Sequence, residues 1–196
     1  LDRFGQIEPK VLVATDSYFY SGVRHDVTGK VAEIARGLNS LKRVVLVPYG
    51  DRDLSPSLIP NSIGFHEWVT GPPNTEPDFA RLGFDHPIYV LYSSGTTGKP
   101  KCIVHRAGGV LLKHWSEHLL HCDLRTGDRL MYFTTTGWMM WNWLVAGLAC
   151  GVSLVLYDGS PFFPGPSRLF DIADELSPRL FGVSAKYIEA AMKEGL

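Results

Sequence analysis

Apolar runs of strand length alternate along this chain with segments whose apolar residues recur at helical spacing. Residues 11–15 and 43–47 form two nearly continuous apolar runs, a pattern typical of strands buried on both faces. Between them, one helical stripe collects the apolar positions of residues 26–38, namely Val27, Val31, Ile34, Ala35 and Leu38. A strand, a helix and a second strand joined by short links predict parallel pairing through a right-handed crossover.

The alternation resumes after a long connector. Residues 50–87 are rich in Pro, Gly, Ser, Asp and Asn, with one short element predicted at 63–68. Further strands are predicted at 88–92, 129–134, 152–157 and 179–183. Further helices are predicted at 107–121, 138–149, 167–176 and 185–192. The chain is therefore expected to form an α/β fold with a mainly parallel sheet flanked by helices.

Composition narrows the classes of partner. The 196 residues are 45% hydrophobic and 20% charged with a formal net charge of −1, which is ordinary for a globular domain. A net charge this close to zero gives no support to nucleic acid or an anionic membrane as the main partner. The three cysteines, Cys102, Cys122 and Cys150, are odd in number and lack metal-ligand spacing. They are typical of reduced thiols, which favours a cytoplasmic location.

One uncharged stretch is long enough to be considered as a membrane span. Residues 130–157 contain no charged side chain. Gly137, Asn142 and Gly147 interrupt them, and their end has strand composition. A buried strand, a helix and a second strand explain the stretch better. The chain opens with neither an initiator Met nor the apolar segment of a secretory signal, and it is expected to be a fragment.

A loop rich in glycine and hydroxyl groups follows the strand predicted at 88–92. From Ser93 to Lys101 it reads Ser-Ser-Gly-Thr-Thr-Gly-Lys-Pro-Lys. Glycines let backbone N–H groups approach an anion, hydroxyls add short donors, and lysines supply positive charge for phosphate oxygens. We therefore expect a phosphate-binding loop, with these candidate residues: Ser93, Ser94, Gly95, Thr96, Thr97, Gly98, Lys99 and Lys101.

This loop does not fit the two most common phosphate motifs. The mononucleotide pattern G-x-x-x-x-G-K-[ST] would place glycine at Ser93 and a metal-binding hydroxyl at Pro100. The dinucleotide pattern G-x-G-x-x-G does not occur here either. The loop instead fits [ST]-S-G-[ST]-T-G-x-P-K at every position. By this motif the chain resembles the adenylate-forming superfamily of acyl-CoA synthetases, luciferases and nonribosomal adenylation domains.

The second unusual segment is aromatic. Gly137-Trp138-Met139-Met140-Trp141-Asn142-Trp143 carries three tryptophans and two methionines at a predicted helix start. Such a stripe usually packs in a core, but Trp138 and Met139 are candidates for the wall of a substrate pocket. The segment resembles the acetoacetyl-CoA synthetase branch more than the acetyl- and propionyl-CoA synthetases, which have G-W-x-T-G-H there. Residues 157–161 and 181–187 resemble the same branch.

The resemblance implies a two-step reaction. ATP and a carboxylic acid form an acyl-adenylate and pyrophosphate, and coenzyme A then displaces AMP to give a thioester. For this branch the acid is acetoacetate, and Mg²⁺ accompanies the triphosphate. Gly22 and Arg24 are candidates for contacts with coenzyme A. Residues 1–196 would be part of the N-terminal AMP-binding domain, with the catalytic lysine and the C-terminal domain outside this fragment, which is expected to be inactive alone.

Other functions remain open from the residues alone. An acetyl- or propionyl-CoA synthetase-like ligase and a non-catalytic nucleotide-binding module both fit the loop. His114, Glu117 and His118 also fit H-x-x-E-H, the inverted zinc-protease signature, with Glu189 or Glu194 as a third ligand. The ordinary interpretation of these residues is a polar helix face. We therefore expect no metal ligands within this chain.

Overall fold

The computed structural model describes residues 1–49, 58–70, 76–93 and 98–196. The strands in these ranges are β1 (Val11–Thr15), β2 (Ser17–Tyr20), β3 (Val23–Asp26), β4 (Arg43–Val47), β5 (Ser62–Gly64), β6 (Pro87–Tyr92), β7 (Cys102–Arg106), β8 (Arg129–Tyr132), β9 (Ser153–Val155) and β10 (Leu180–Gly182). The helices are α1 (Thr28–Gly37), α2 (Phe65–Trp68), α3 (Ala107–Ser116), α4 (Met139–Ala146), α5 (Arg168–Leu176) and α6 (Ala185–Lys193). The chain divides into two compact units, Leu1–Arg81 with Tyr92–Ile103 and Leu82–Leu91 with Val104–Leu196.

The first unit is built on a parallel three-stranded sheet in the order β1–β4–β5. Val11 pairs with Arg43 and Thr15 with Val47, so β1 and β4 run side by side over their whole length. Helix α1 packs its apolar stripe against Val44 and Leu46 of β4, which are almost fully buried. The strand–helix–strand unit expected from the apolar pattern is confirmed.

A β-hairpin that the apolar pattern did not predict interrupts this unit. Strands β2 and β3 pair antiparallel, with Tyr20 opposite Val23, so Ser21 and Gly22 form a two-residue turn. Both turn residues have positive φ, +50° and +77°, as a type I′ turn requires. The strand sequences Ser-Tyr-Phe-Tyr and Val-Arg-His-Asp are largely exposed, so they lack the apolar run of a buried strand.

The second unit has a parallel sheet in the order β10–β8–β9, covered on both faces. Adjacent side chains of the central strand β8 point to opposite faces of the sheet, as in any β-strand. Leu130 packs with Trp143 and Leu144 of α4, whereas Met131 packs with residues of α5 and α6. Leu130 and Met131 are 0% and 1% exposed. The expected α/β class, with parallel strands between helices, is confirmed.

Several element boundaries differ from those predicted. The helix expected over 107–121 is α-helical only to Ser116 and continues as a π-helical turn, Glu117–His121. The helix expected over 138–149 starts at Met139 and ends in a 3₁₀ turn from Gly147 to Cys150. Gly147 permits this turn beneath the sheet, since a Cβ there would lie 2.8 Å from Leu130 Cδ2. Among the helices of the described ranges, none is long and apolar enough to cross a membrane.

The buried position of Leu130 gives a test of the second unit's core. Leu130→Ala should lower the free energy of unfolding by about 3 kcal/mol, because the deletion leaves a cavity between the sheet and α4. Urea unfolding of the intact protein, followed by tryptophan fluorescence, measures this change. Leu120→Ala is the control: Leu120 is 76% exposed, and its loss should change the same quantity by less than about 0.5 kcal/mol. Equal losses in the two variants would contradict this packing.

Candidate functional site

The ends of the predicted phosphate loop are held together by neighbouring strands. The Ser93 N–H donates to the Lys101 carbonyl at 3.0 Å, where β6 ends and just before β7 begins. The candidates Ser94, Gly95, Thr96 and Thr97 lie outside the described residues. The structure therefore gives the base of the loop and its last four residues.

The described end of the loop is open to solvent. Gly98 has φ +147°, a conformation that disfavours side chains, and a Cβ there would meet nothing within 4 Å. Lys99 and Lys101 are both exposed. Exposed ammonium groups next to a glycine with this backbone suit contact with a polyanion more than packing in a core.

A cleft of about 810 Å³ lies within the second unit. Helix α3, its π-helical turn, the end of β7 and the start of α4 supply its lining: Val104, His105, Arg106, Gly109, Val110, Lys113, His114, Glu117, His121, Cys122, Met139, Met140 and Trp143. The predicted pocket residue Met139 is part of this lining. Trp138 is outside the lining, with 69% of its surface exposed. The lining thus combines an apolar wall with several ionisable side chains, a mixture that suits a small organic ligand with polar groups.

The carboxylate of Glu117 connects two walls of this cleft. Its Oε1 lies 2.7 Å from Lys113 Nζ on the preceding turn. Its Oε2 accepts a hydrogen bond of 2.9 Å from the Trp143 indole N–H on α4. The Lys113 hydrogen bond is the main cause that lowers the pKa of Glu117, burial opposes it, and the Trp143 bond lowers it further. Glu117 is therefore an ionised carboxylate with both oxygens engaged.

Two histidines of the same helix are buried and form no side-chain hydrogen bond in the described part of the chain. His114 is 9% exposed and lines the cleft, and its Nδ1 is sealed and unpaired. His118 is fully buried, with only the backbone of His114 and Trp143 near enough to act on its ring as weak polar partners, and its ring centroid lies 4.3 Å from that of Trp143. Burial is the main cause that lowers the pKa of each imidazole, so both are neutral near pH 7.

This geometry gives no support to the zinc-protease alternative. Glu117 is occupied by Lys113 and Trp143, and His118 is enclosed against the indole. The proposed third ligand Glu189 is paired with Lys193 at 2.7 Å on α6. In the ranges that the structure describes, no cluster of three His, Cys, Asp or Glu side chains could hold a metal ion.

The two coenzyme A candidates lie in the hairpin of the first unit. Gly22 is the second residue of the tight turn, where positive φ explains its presence. Arg24 donates to Ser17 Oγ through Nε and Nη2 at 3.1 and 3.0 Å, and its Nη2 lies 3.5 Å from Asp16. Burial alone would raise the pKa of Asp16, but hydrogen bonds from Tyr49 and Ser17, with the Arg24 charge, lower it. Both candidates thus have a structural role at this hairpin.

Sequence reasoning missed several residues of the cleft. His114 and Glu117 were considered only as a polar helix face or as metal ligands, and Lys113 was not considered. The signal that could have indicated a site was their order on a helix directly following the phosphate motif. Nothing in the sequence indicated that Trp143, 26 positions later, would bind Glu117.

Comparison with known proteins assigns the chain to a family. The model of the AMP-binding enzyme family matches residues 3–195. The chain belongs to the AMP-binding enzyme family. An acetoacetyl-coenzyme A synthetase of Rhizobium meliloti is 52% identical over 196 residues, which cover 100% of this chain and 30% of that protein. An acetoacetyl-CoA synthetase of Gallus gallus is 45% identical, again over 100% of this chain and 30% of the relative.

The same relationship extends to a solved structure and to a relative with a different name. The acetoacetyl-CoA synthetase from Streptomyces lividans matches with a TM-score of 0.92 and 44% identity, over 100% of this chain and 29% of that one. Malonamoyl-CoA synthetase vrtB of Penicillium aethiopicum is 41% identical over 95% of this chain and 28% of the relative. The chain therefore spans less than a third of the length of these relatives.

The ion pair of Glu117 can be tested by titration. Because its pKa is lowered in the folded protein, the ionised group stabilises the fold above the ordinary glutamate pKa. That contribution is lost as the pH falls through the lowered folded value. Lys113→Met should raise the Glu117 pKa, which carbon-13 NMR measures on the side-chain carboxyl, assigned by its disappearance in Glu117→Gln.

Lys193→Met is the matched control for this titration. Lys193 pairs with Glu189 at the same i,i+4 spacing and distance, 2.7 Å, but on α6. The Glu117 titration midpoint should be the same in this variant as in the wild type. An unchanged midpoint in Lys113→Met would show that the ion pair does not set the acidity of Glu117.

Proposed function

We propose that this chain is part of an ATP-dependent acid–thiol ligase that activates acetoacetate as an acyl-adenylate and transfers the acyl group to coenzyme A. The observation that carries the proposal is similarity over the whole chain, at 52% and 45% identity, to proteins named acetoacetyl-CoA synthetase. Membership of the AMP-binding family supports the first step. The cleft beside α3 and α4 supports a small organic acid as the second substrate.

The phosphate loop acts in the first step. Ser93 through Gly98 present hydroxyls and backbone N–H groups to the β- and γ-phosphates, and Lys99 and Lys101 neutralise charge. Attack by the acid's carboxylate on the α-phosphorus releases pyrophosphate. Positioning and charge neutralisation, rather than covalent chemistry by the protein, carry most of such a step. Mg²⁺ would enter with the substrate as the metal complex of ATP and would supply positive charge at the phosphates.

The cleft of the second unit holds the acid. Its apolar wall of Met139, Met140 and Trp143 faces the acyl part, and Trp138 borders the helix start. Methionines adapt to the shape of a short acyl chain. The names of the relatives point to acids with a second carbonyl at carbon 3, since both acetoacetyl and malonamoyl groups carry one. A cleft that combines apolar walls with a few polar groups suits such acids.

Coenzyme A is the acceptor in the second step. Arg24 keeps a partly exposed guanidinium at the hairpin, and Gly22 allows close approach of a ligand to the turn. These two residues remain our candidates for its phosphate groups, beside their structural role. The free thiols Cys102, Cys122 and Cys150 are consistent with a reducing cytoplasm as the site of the reaction.

Isotope exchange tests the proposed activity directly. The intact natural protein should catalyse exchange of labelled pyrophosphate into ATP when acetoacetate is present, and it should form a thioester when coenzyme A is added. With acetate or propionate in place of acetoacetate, kcat/KM for the exchange should be at least about tenfold lower. The reason is that these shorter acids fill less of a cleft that accommodates acetoacetate. ATP binding without exchange on any acid would leave only a nucleotide-binding module. A preference for acetate would favour the acetyl-CoA synthetase-like alternative.

The loop can be tested through Lys99. Lys99→Ala should lower the acetoacetate-dependent exchange rate by about tenfold to a thousandfold, because one charge-assisted contact to a phosphate is lost. Lys193→Ala is the control, since Lys193 is also an exposed lysine but lies on α6. Its exchange rate should equal that of the wild type. Equal rates in wild type and Lys99→Ala would remove Lys99 from the phosphate site.

A further inference from the structure

His114 is a buried polar residue of the cleft lining, and no other side chain in the described ranges forms a hydrogen bond with it. It is 9% exposed, lies in the cleft lining, and has Nδ1 sealed inside the protein without a partner in the described ranges. Nε2 is therefore the ring nitrogen that the cleft can reach. Unlike Nδ1, Nε2 is not sealed inside the protein, and it makes no hydrogen bond in the described ranges, so a ligand in the cleft can pair with it.

The neighbours of His114 are already engaged. Both carboxylate oxygens of Glu117, three residues later on the same helix, are bound to Lys113 and Trp143. His118, one turn further, has its centroid 6.3 Å from that of His114 and lies outside the cleft lining. Met139 and Met140 offer only apolar surface. The other polar side chains of the lining, His105, Arg106 and His121, make no hydrogen bond with His114 in the described ranges, so its cleft side is open to a partner from a ligand.

The charge state of His114 determines which hydrogen-bonding group of a ligand it can pair with. Burial is the largest effect on its pKa and lowers it, the carboxylate of Glu117 opposes this, and His105 and Lys113 lower it further. The ring is then neutral and carries one proton. With that proton on Nε2, the group facing the cleft is an uncharged N–H donor, which matches a carbonyl oxygen in an otherwise apolar environment.

We propose that the His114 Nε2–H donates a hydrogen bond to the 3-carbonyl oxygen of the acid held in the cleft, and so selects 3-oxo acids over simple fatty acids. This inference rests on the proposed ligase function and adds the residue that distinguishes its substrate. His114 takes no part in forming or breaking bonds. An acid without the second carbonyl leaves the N–H unpaired against apolar groups, and it is discriminated against for that reason.

Acetoacetate and butyrate form the test pair, since butyrate has the same chain length and no second carbonyl. In the wild-type intact protein, kcat/KM from pyrophosphate exchange should be higher for acetoacetate. In His114→Leu, kcat/KM for acetoacetate should fall by about tenfold to a hundredfold, while that for butyrate should change by less than about threefold. A parallel fall for both acids would show that His114 only supports the structure, and would overturn the inference.

Two polar replacements keep the test decisive where His114→Leu does not fold. Gln places its amide nitrogen near the position of Nε2, whereas Asn places it near Nδ1. The preference for acetoacetate should persist largely in His114→Gln and be lost in His114→Asn. The same loss in both polar variants would overturn the assignment to Nε2. His66→Gln is the control: it makes the same change at an exposed histidine of α2 that is outside the lining, so the ratio of the two acids should stay at the wild-type value.

The design separates failure of this inference from failure of the proposed function. A wild-type protein that exchanges pyrophosphate with neither acid contradicts the ligase proposal itself. A wild-type protein that uses acetoacetate and butyrate equally, or one whose preference survives His114→Leu in folded form, remains a ligase but contradicts the role of His114. A preference lost only in His114→Leu and His114→Asn supports it.

Discussion

The hydrogen bond from the Trp143 indole to Glu117 is the interaction on which the cleft depends. It joins the end of α3 to α4 at 2.9 Å, and the neighbouring His118 ring lies against the same indole. Because Lys113 holds the other carboxylate oxygen, Glu117 keeps its charge while half-buried. Two walls of the cleft are thus connected by one ionised side chain, and an isosteric amide could not accept from both partners equally well.

The π-helical turn makes this connection possible. At Glu117 the helix widens, with the Cys122 N–H donating to the Glu117 carbonyl at 2.8 Å, and the Leu124 N–H to the His118 carbonyl at 2.9 Å. Adjacent residues then reach the same tryptophan, one through its N–H and one through its ring. Such turns cost stability relative to a regular helix and are frequent at functional sites. His118 lies within this turn and is fully buried, whereas His114 lies in α3 before the turn and lines the cleft.

Much of the fold could be predicted from the sequence, because the parallel strands are buried and therefore consist of consecutive apolar residues. Residues 11–15 and 43–47 fall within β1 and β4 with no error in their bounds. The β2–β3 hairpin was not predicted, because its side chains are mostly exposed and its strands therefore lack an apolar run. β7 was not predicted because its five residues follow the phosphate motif without a break in composition. Local pattern does not encode pairing of exposed strands.

The residues of the candidate site also fall into a group that local sequence predicts and a group that it does not. The loop motif could be recognised because consecutive residues carry its chemistry, and Met139 could be proposed from a local aromatic stripe. The environment of His114 depends on contacts between distant segments: α4 closes over α3 only in the folded unit. Spacing alone placed His114, Glu117 and His118 on one face and suggested a metal. In the folded unit, His114 and Glu117 instead line the cleft, and His118 is buried against Trp143 behind them.

A neutral ring would suit His114 to its proposed role of distinguishing between acids. A lysine or arginine at this position would attract the carboxylate that every candidate acid carries, and so would bind all of them without distinction. Its charge would also need a partner inside an apolar wall. A neutral N–H has little attraction for a methylene group and a favourable contact with a carbonyl oxygen. In the proposed role, burial would serve specificity: by removing the charge of the imidazole, it would leave the second carbonyl as the feature of the acid that His114 distinguishes.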